Sequence, residues 1–144
     1  AHYRGVPMRS KLEVSWARFF DQHGVFWCYE PERFAFDNGY QYVPDFLLTD
    51  FNQFFEAKGV MTSIDLYKIE LLVKKTRRQL VVGYGDGHIE MYYLNPRGLL
   101  TKSAEVRFAR CQECGKAQFW LNSQLACLFC GNEDAKPERI RIWW

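Results

Sequence analysis

Long apolar runs are missing from this chain of 144 residues: nowhere does it approach the roughly 18 uninterrupted apolar residues that a membrane-crossing helix requires. The opening stretch, AHYRGVPMRS, lacks the apolar run of a secretory signal, so a cytoplasmic protein with no membrane partner is expected. Internal repeats and low-complexity segments are absent as well. Histidine is scarce, and His2, His23 and His88 show no catalytic spacing. Charge of one sign is also lacking. The formal net charge is only +2, although residues 61–110 hold nine Lys/Arg against five Asp/Glu. That local excess suits a polyanionic partner, or an ordinary solvated face.

What is present is apolar and aromatic. Nearly half of the residues are hydrophobic, enough to bury a core for one compact domain with a small appendage. Residues 10–23 read as a helix with Leu12, Trp16, Phe19 and Phe20 on one stripe and Gly24 as the stop. Val25–Tyr29 reads as a strand, with Cys28 inside it as a buried small hydrophobe. Phe34–Phe36 and Tyr40–Leu48 flank an Asp-Asn-Gly hairpin signal. Gln53–Lys58 follows as a strand. A second helix over about 63–78 puts Ile64, Tyr67, Leu71 and Leu72 on its apolar face, and Leu80–Tyr84 and His88–Leu94 are strands. Asn95–Ser103 reads as a connection. The order predicts an α/β fold, a mixed sheet flanked by helices, over residues 1–105.

The chemistry concentrates in Pro44-Asp45, ten intervening residues, then Glu56-Ala57-Lys58. On a strand, Glu56 and Lys58 point to the same face, and a short turn returns the Asp45 strand antiparallel to theirs. Charges on so apolar a ribbon (Phe46, Leu47, Leu48, Phe54, Phe55) must pair or bind a metal. Carboxylate oxygens suit magnesium or manganese, which would polarise a scissile phosphate. Lys58 would orient water or offset negative charge, and the Ala57 carbonyl is a further candidate ligand. Glu13 is a candidate fourth group from the first helix, although Ser10-x2-Glu13 also matches a capping box. The bland alternative for the whole set is a structural Asp45–Lys58 ion pair.

The runs Arg9-Ser10-Lys11-Leu12-Glu13, Tyr42-Val43-Pro44-Asp45-Phe46-Leu47-Leu48 and Glu56-Ala57-Lys58-Gly59 resemble the phage endonuclease I group of Holliday-junction resolvases, in the PD-(D/E)XK nuclease superfamily. The resemblance covers roughly residues 9–60. It implies a restriction-endonuclease-like fold with Glu13, Asp45 and Glu56 as metal-binding carboxylates and Lys58 as the catalytic lysine. It also implies a homodimer acting on branched DNA. A transposase-type end-cleaving nuclease has a related motif, but those proteins often carry glutamine at the place of Glu56. Restriction-like and homing nucleases share the same minimal chemistry. The competing class is a non-catalytic DNA-binding module, and RNA is not separated from DNA by these residues.

Residues 106–144 carry Cys111-x2-Cys114, twelve residues, then Cys127-x2-Cys130, with Gly115 and Gly131 directly after each pair. The spacing predicts a zinc ribbon whose four thiolates leave no open coordination position, so a structural zinc is expected. That segment is not part of the resolvase pattern. Candidate DNA contacts are Lys74, Lys75, Arg77 and Arg78 at the end of the second helix, just after the proposed site. The helix dipole also explains them. Lys116, Arg139 and Arg141 are candidates in the ribbon, with Phe119, Trp120, Trp143 and Trp144 nearby for stacking on single-stranded or branched DNA. Arg139-Ile140-Arg141-Ile142 reads as a strand with one charged face.

Overall fold

The computed structural model describes residues 1–124 and 126–142, so the expectations for Trp143 and Trp144 lie outside the described residues. A short hairpin, β1 (His2–Tyr3) and β2 (Val6–Pro7), leads into α1 (Lys11–Gln22). Then come β3 (Trp27–Tyr29), the small hairpin β4 (Phe34–Ala35) and β5 (Gln41–Tyr42), β6 (Phe46–Leu48), β7 (Gln53–Lys58) and α2 (Ser63–Thr76). The chain continues through β8 (Leu80–Tyr84), β9 (Ile89–Leu94) and β10 (Leu100–Ser103). It ends with β11 (Val106–Cys111), β12 (Ala117–Leu121) and β13 (Ala135–Pro137). Among the described residues the fold is mixed α/β, mostly sheet with two helices. No helix among the described residues is long and apolar enough to cross a membrane.

The main sheet has the order β10-β9-β8-β7-β6-β3. Its one parallel pair, β7 with β8, is joined by the crossover helix α2; the other pairs are antiparallel. Alternation along the strands feeds two cores. Phe55, Val81, Ile89 and Met91 meet α1 through Leu12, Trp16, Phe19 and Phe20. Phe54, Leu80, Val82 and Tyr92 meet α2 through Ile69, Leu72 and Val73. Gly83 is required by the first of these layers. A β-carbon there would lie 2.3 Å from Phe55 Cζ and 2.6 Å from Trp16, so only glycine lets the indole lie on the sheet.

Local signals set the helix ends. Ser10 caps α1 by accepting from the Glu13 N–H, and Gly24 leaves it at φ +69°. Thr62 and Asp65 form a reciprocal capping box on α2, which ends on Arg77 at φ +57°. The apolar face expected for α2 is corrected: Ile64 and Tyr67 are exposed, and Leu72 is joined in the core by Ile69 and Val73. The physical reason is that two apolar stripes compete along this helix, and the sheet selects the one centred on Leu72.

Further expectations change for stated reasons. Cys28 is exposed, not buried, because the strand period turns Trp27 and Tyr29 toward Phe46 and Cys28 outward on an edge strand. Part of the Asn95–Ser103 connection is strand β10, laid antiparallel on β9. Residues 139–142 form no strand. The free edge of β11 is already taken by β13 and by the Glu138 N–H to Phe108, and beyond that point the chain leaves the ladder. Ile140 and Ile142 still pack on the core while Arg139 and Arg141 stay exposed.

The boundary at residues 105–106 separates two sheets but not two cores. Phe108, Ala117 and Phe119, on the three-stranded sheet β12-β11-β13, belong to the cluster built around Trp16 and Phe55. Phe108 lies 4.9 Å from Phe19, and Phe119 stacks on Phe55 at 5.6 Å between ring centroids. The C-terminal sheet therefore forms the outer layer over α1's side of the main sheet.

Candidate active site and metal centre

Asp45 directly precedes β6. The register Phe46↔Phe55 carries it opposite Glu56, since each step back on one antiparallel strand is a step forward on the other. Two hydrogen bonds lock the pair. The Asp45 N–H donates to Glu56 Oε1 at 2.7 Å, and the Ala57 N–H donates to Asp45 Oδ2 at 2.9 Å. Both carboxylates are only 3% exposed. Lys58, two residues on and hence on the same face as Glu56, places Nζ 3.8 Å from Glu56 Oε2. Ala57 points the other way and packs on the α1 core.

These groups line one cavity of about 510 Å³, with Glu13 and Asp65 on its walls. Glu13, 6% exposed, accepts from the Tyr29 hydroxyl and, at 3.1 Å, from Ser10 Oγ. Only half of the expected capping box forms, because the Glu13 carboxylate takes the Ser10 hydroxyl and the Arg9 N–H, at 3.4 Å, in place of the Ser10 N–H. The helix cap and the cavity wall are thus one residue's two roles.

Burial pushes the Asp45 carboxyl above the usual carboxylate range, and the nearby Glu13 charge adds to this, against the Ala57 N–H and the Arg9 and Lys58 charges. Burial also pushes Glu56 well up, with the Asp45 charge next. Tyr29 rises to about 12 through burial and its bond to Glu13. Like charges held this close in low dielectric disfavour each other's ionisation.

Three participants were not legible beforehand. Arg9 sets Nη2 2.7 Å from Asp45 Oδ1 and 3.4 Å from Glu30. Asp65 lies 3.1 Å from Lys58 Nζ. Tyr29 backs Glu13. The signal for Asp65 was Thr62-x2-Asp65, a cap motif four residues past Lys58; a lone arginine or tyrosine has no such spacing.

The four cysteines close into a second centre. Cys111 and Cys130 Sγ are 3.5 Å apart, Cys114 and Cys127 Sγ 3.7 Å, and all four sulfurs lie within 4.8 Å of one another. Four thiolates about 2.3 Å from a tetrahedral zinc would be ~3.8 Å apart, so the set is compatible with a structural zinc. Gly115 and Gly131 follow the pairs at φ +77° and +82°, where the knuckle turns demand the left-handed region. Gln118 Nε2 donates to Cys127 Sγ at 3.1 Å from the face of β12 opposite Phe119. Among the described residues this is the only group of three or more His, Cys, Asp or Glu ligands close enough to hold one ion. Glu13, Asp45 and Glu56 share a cavity without closing to that span.

The candidate DNA-binding side chains scatter. Lys74 pairs with Glu70 at 2.7 Å, and Lys75 donates to the Ala35 carbonyl at 2.9 Å. Arg77 is exposed, and Arg78 lies over the Phe54 ring. Although they follow the proposed site in sequence, they lie at the far end of α2: Asp65 touches Lys58 at one end of the helix, and Arg77 lies twelve residues on, about 18 Å away at a helical rise of roughly 1.5 Å per residue. Lys116 pairs with Asp50 at 2.7 Å. Phe119 and Trp120 are fully buried, so neither stacks on bases. Comparison of the chain with protein-family models, with curated proteins and with solved structures gives no match.

Proposed function

We propose that this protein is a metal-dependent endonuclease of the PD-(D/E)XK type that hydrolyses phosphodiester bonds in DNA, with branched DNA as the substrate to test first. The observation that carries the reading is the convergence of Asp45, Glu56 and Lys58 at one sheet end, inside one cavity. The bland alternative, an Asp45–Lys58 ion pair, is not formed: Asp45 pairs with Arg9 at 2.7 Å and Lys58 with Asp65 at 3.1 Å.

The donor set fits magnesium or manganese. Asp45 and Glu56 offer hard oxygens whose mutual repulsion a divalent cation would relieve. When bound, such an ion polarises the scissile phosphate and stabilises the leaving oxygen. The chain's own residues prepare the rest. The reciprocal N–H bonds fix both carboxylates before any ligand arrives. Asp65 steadies the Lys58 ammonium at the cavity mouth, where it orients the attacking water or offsets charge on the phosphoryl oxygens. The Ala57 carbonyl and Glu13 are further ligand candidates; Glu13 would first leave Tyr29 and Ser10. The fold order, with its parallel β7–β8 pair joined by α2, supports a restriction-endonuclease-like assignment.

A second reading, a DNA-binding module without catalysis, is favoured by one observation: the three carboxylates do not close around a single point. Labelled junctions, flaps, single strands and duplexes, incubated with and without magnesium, separate the two. Cutting by wild type that needs magnesium and vanishes in Asp45→Ala supports the enzyme. Binding without cutting on every substrate supports the module.

A further inference from the structure

We infer that the sheet end remote from the carboxylate cavity carries a second nucleic-acid contact surface, a platform on which a single-stranded segment stacks and is held by phosphate contacts. The ligand class rests on the reading above; the surface itself rests on separate observations. Phe26 and Phe129 are 63% and 53% exposed, a poor arrangement for large apolar rings unless something covers them. They come from opposite ends of the chain, yet both meet the Lys116 ammonium, which sits 5.5 Å from one ring centroid and 4.5 Å from the other. Asp50 holds Lys116 in that position at 2.7 Å.

Leu128, itself 41% exposed, extends this patch into a cleft of about 280 Å³ that Arg77 and Arg78 also line. The remaining polar lining is amide: Asn52, Gln53 and Gln79. No carboxylate lines the cleft among the described residues, and neither arginine makes an ion pair there. Gln53 is buried and donates its amide to Gln79 Oε1 at 2.7 Å, which fixes the floor of the cleft. Exposed rings interleaved with cations and amides suit bases and phosphates, which present π-faces, negative charge and mixed donors together. A protein partner would be better matched by an apolar patch without two arginines that lack a carboxylate partner. From Asn52 to Lys58 the strand rises roughly 20 Å at about 3.3 Å per residue, so the platform anchors the substrate several nucleotides from the cavity.

The test measures binding of a fluorescein-labelled single-stranded oligodeoxynucleotide by anisotropy, in buffer free of divalent cation and of chelator, so that nothing is cut and any bound zinc is retained. Phe26→Ala/Phe129→Ala is expected to weaken binding at least tenfold, the scale of losing base stacking on two rings. Arg77→Ala/Arg78→Ala is expected to weaken it and to reduce the slope of log affinity against log salt by about 1.4 on a single strand. Because Arg78 covers Phe54, Arg77→Glu alone is the companion variant, and melting curves confirm that each variant is folded. Wild-type affinity in all folded variants overturns the inference. So does unchanged oligonucleotide binding accompanied by lost self-association, which would assign the patch to a second copy of the chain. Magnesium-dependent cutting on the same preparations reads out the nuclease proposal separately: cutting with unaffected platform variants refutes only the platform, and oligonucleotide binding without cutting refutes only the nuclease.

Discussion

Gly83 lies under Trp16 and Phe55, and replacing it by alanine tests how tightly the site's scaffold is set. In a strand interior, exchanging glycine for alanine ordinarily gains about 0.5–1 kcal/mol through reduced chain entropy. Here the new methyl would stand 2.3 Å from Phe55 Cζ and 2.6 Å from two Trp16 ring carbons, far inside van der Waals contact. Both rings are fully buried, so neither has solvent to move into. Overpacking of this kind costs about 1–3 kcal/mol, and a triple contact belongs at the upper end. At roughly 2–4 °C per kcal/mol for a chain of this size, a net loss near 2 kcal/mol lowers Tm by about 4–8 °C. The effect reaches the site as well. Gly83 pairs with Ala57, and Phe55 precedes Glu56, so displaced rings move the strand that carries Glu56 and Lys58. Thermal denaturation followed by circular dichroism reads the first effect, and substrate cutting at a temperature where the variant is folded reads the second. A Tm equal to or above wild type would refute the packing argument.

Zinc removal is expected to lower the melting temperature of the whole chain in one transition, because Phe108 and Phe119 share the core of Trp16 and Phe55; a separate early transition for residues 106–142 would contradict the shared core. Arg77→Gly should stabilise by about 1 kcal/mol by relieving a side chain held at φ +57° at the end of α2, and an unchanged or lower Tm would count against that strain. Asp21 is held below the usual carboxylate range: burial raises it, but bonds from Tyr3, Trp27 and Arg4 together lower it further. Its contribution to stability is therefore complete above the unfolded pKa of about 3.9 and is lost as pH falls through the folded value. Asp21→Asn should flatten the acid limb of a stability–pH curve as pH falls below the unfolded carboxylate value of about 3.9, and a parallel shift of the whole curve would refute this linkage.

The candidate site was legible because two short-range rules act together. A period of two aligns Glu56 with Lys58, and the turn after Leu48 folds Asp45 back beside them. The α1 stripe and the paired cysteines were legible for the same reason, since each depends on spacing within one element. What stayed hidden depends on contacts between distant segments. Arg9 reaches Asp45 across thirty-six residues, and no local spacing announces it. Phe108 and Phe119 lie in the cysteine segment, yet their partners are Phe19 and Phe55. Of the α2 stripe expected at Ile64, Tyr67, Leu71 and Leu72, only Leu72 is fully buried, because the helix carries a second apolar row through Ile69 and Val73 that the sheet selects. Cys28 was misplaced because the burial of its strand neighbours was extended to it, although an edge strand covers one face only.

Calorimetric titration with manganese addresses the central claim without any choice of substrate. Wild type should take up the ion at the carboxylate cavity, and Asp45→Asn/Glu56→Gln, folded and still holding zinc at its four cysteines, should lose that uptake. Equal manganese binding by the two proteins, or none by wild type, would contradict the assignment of this cavity to divalent-metal chemistry.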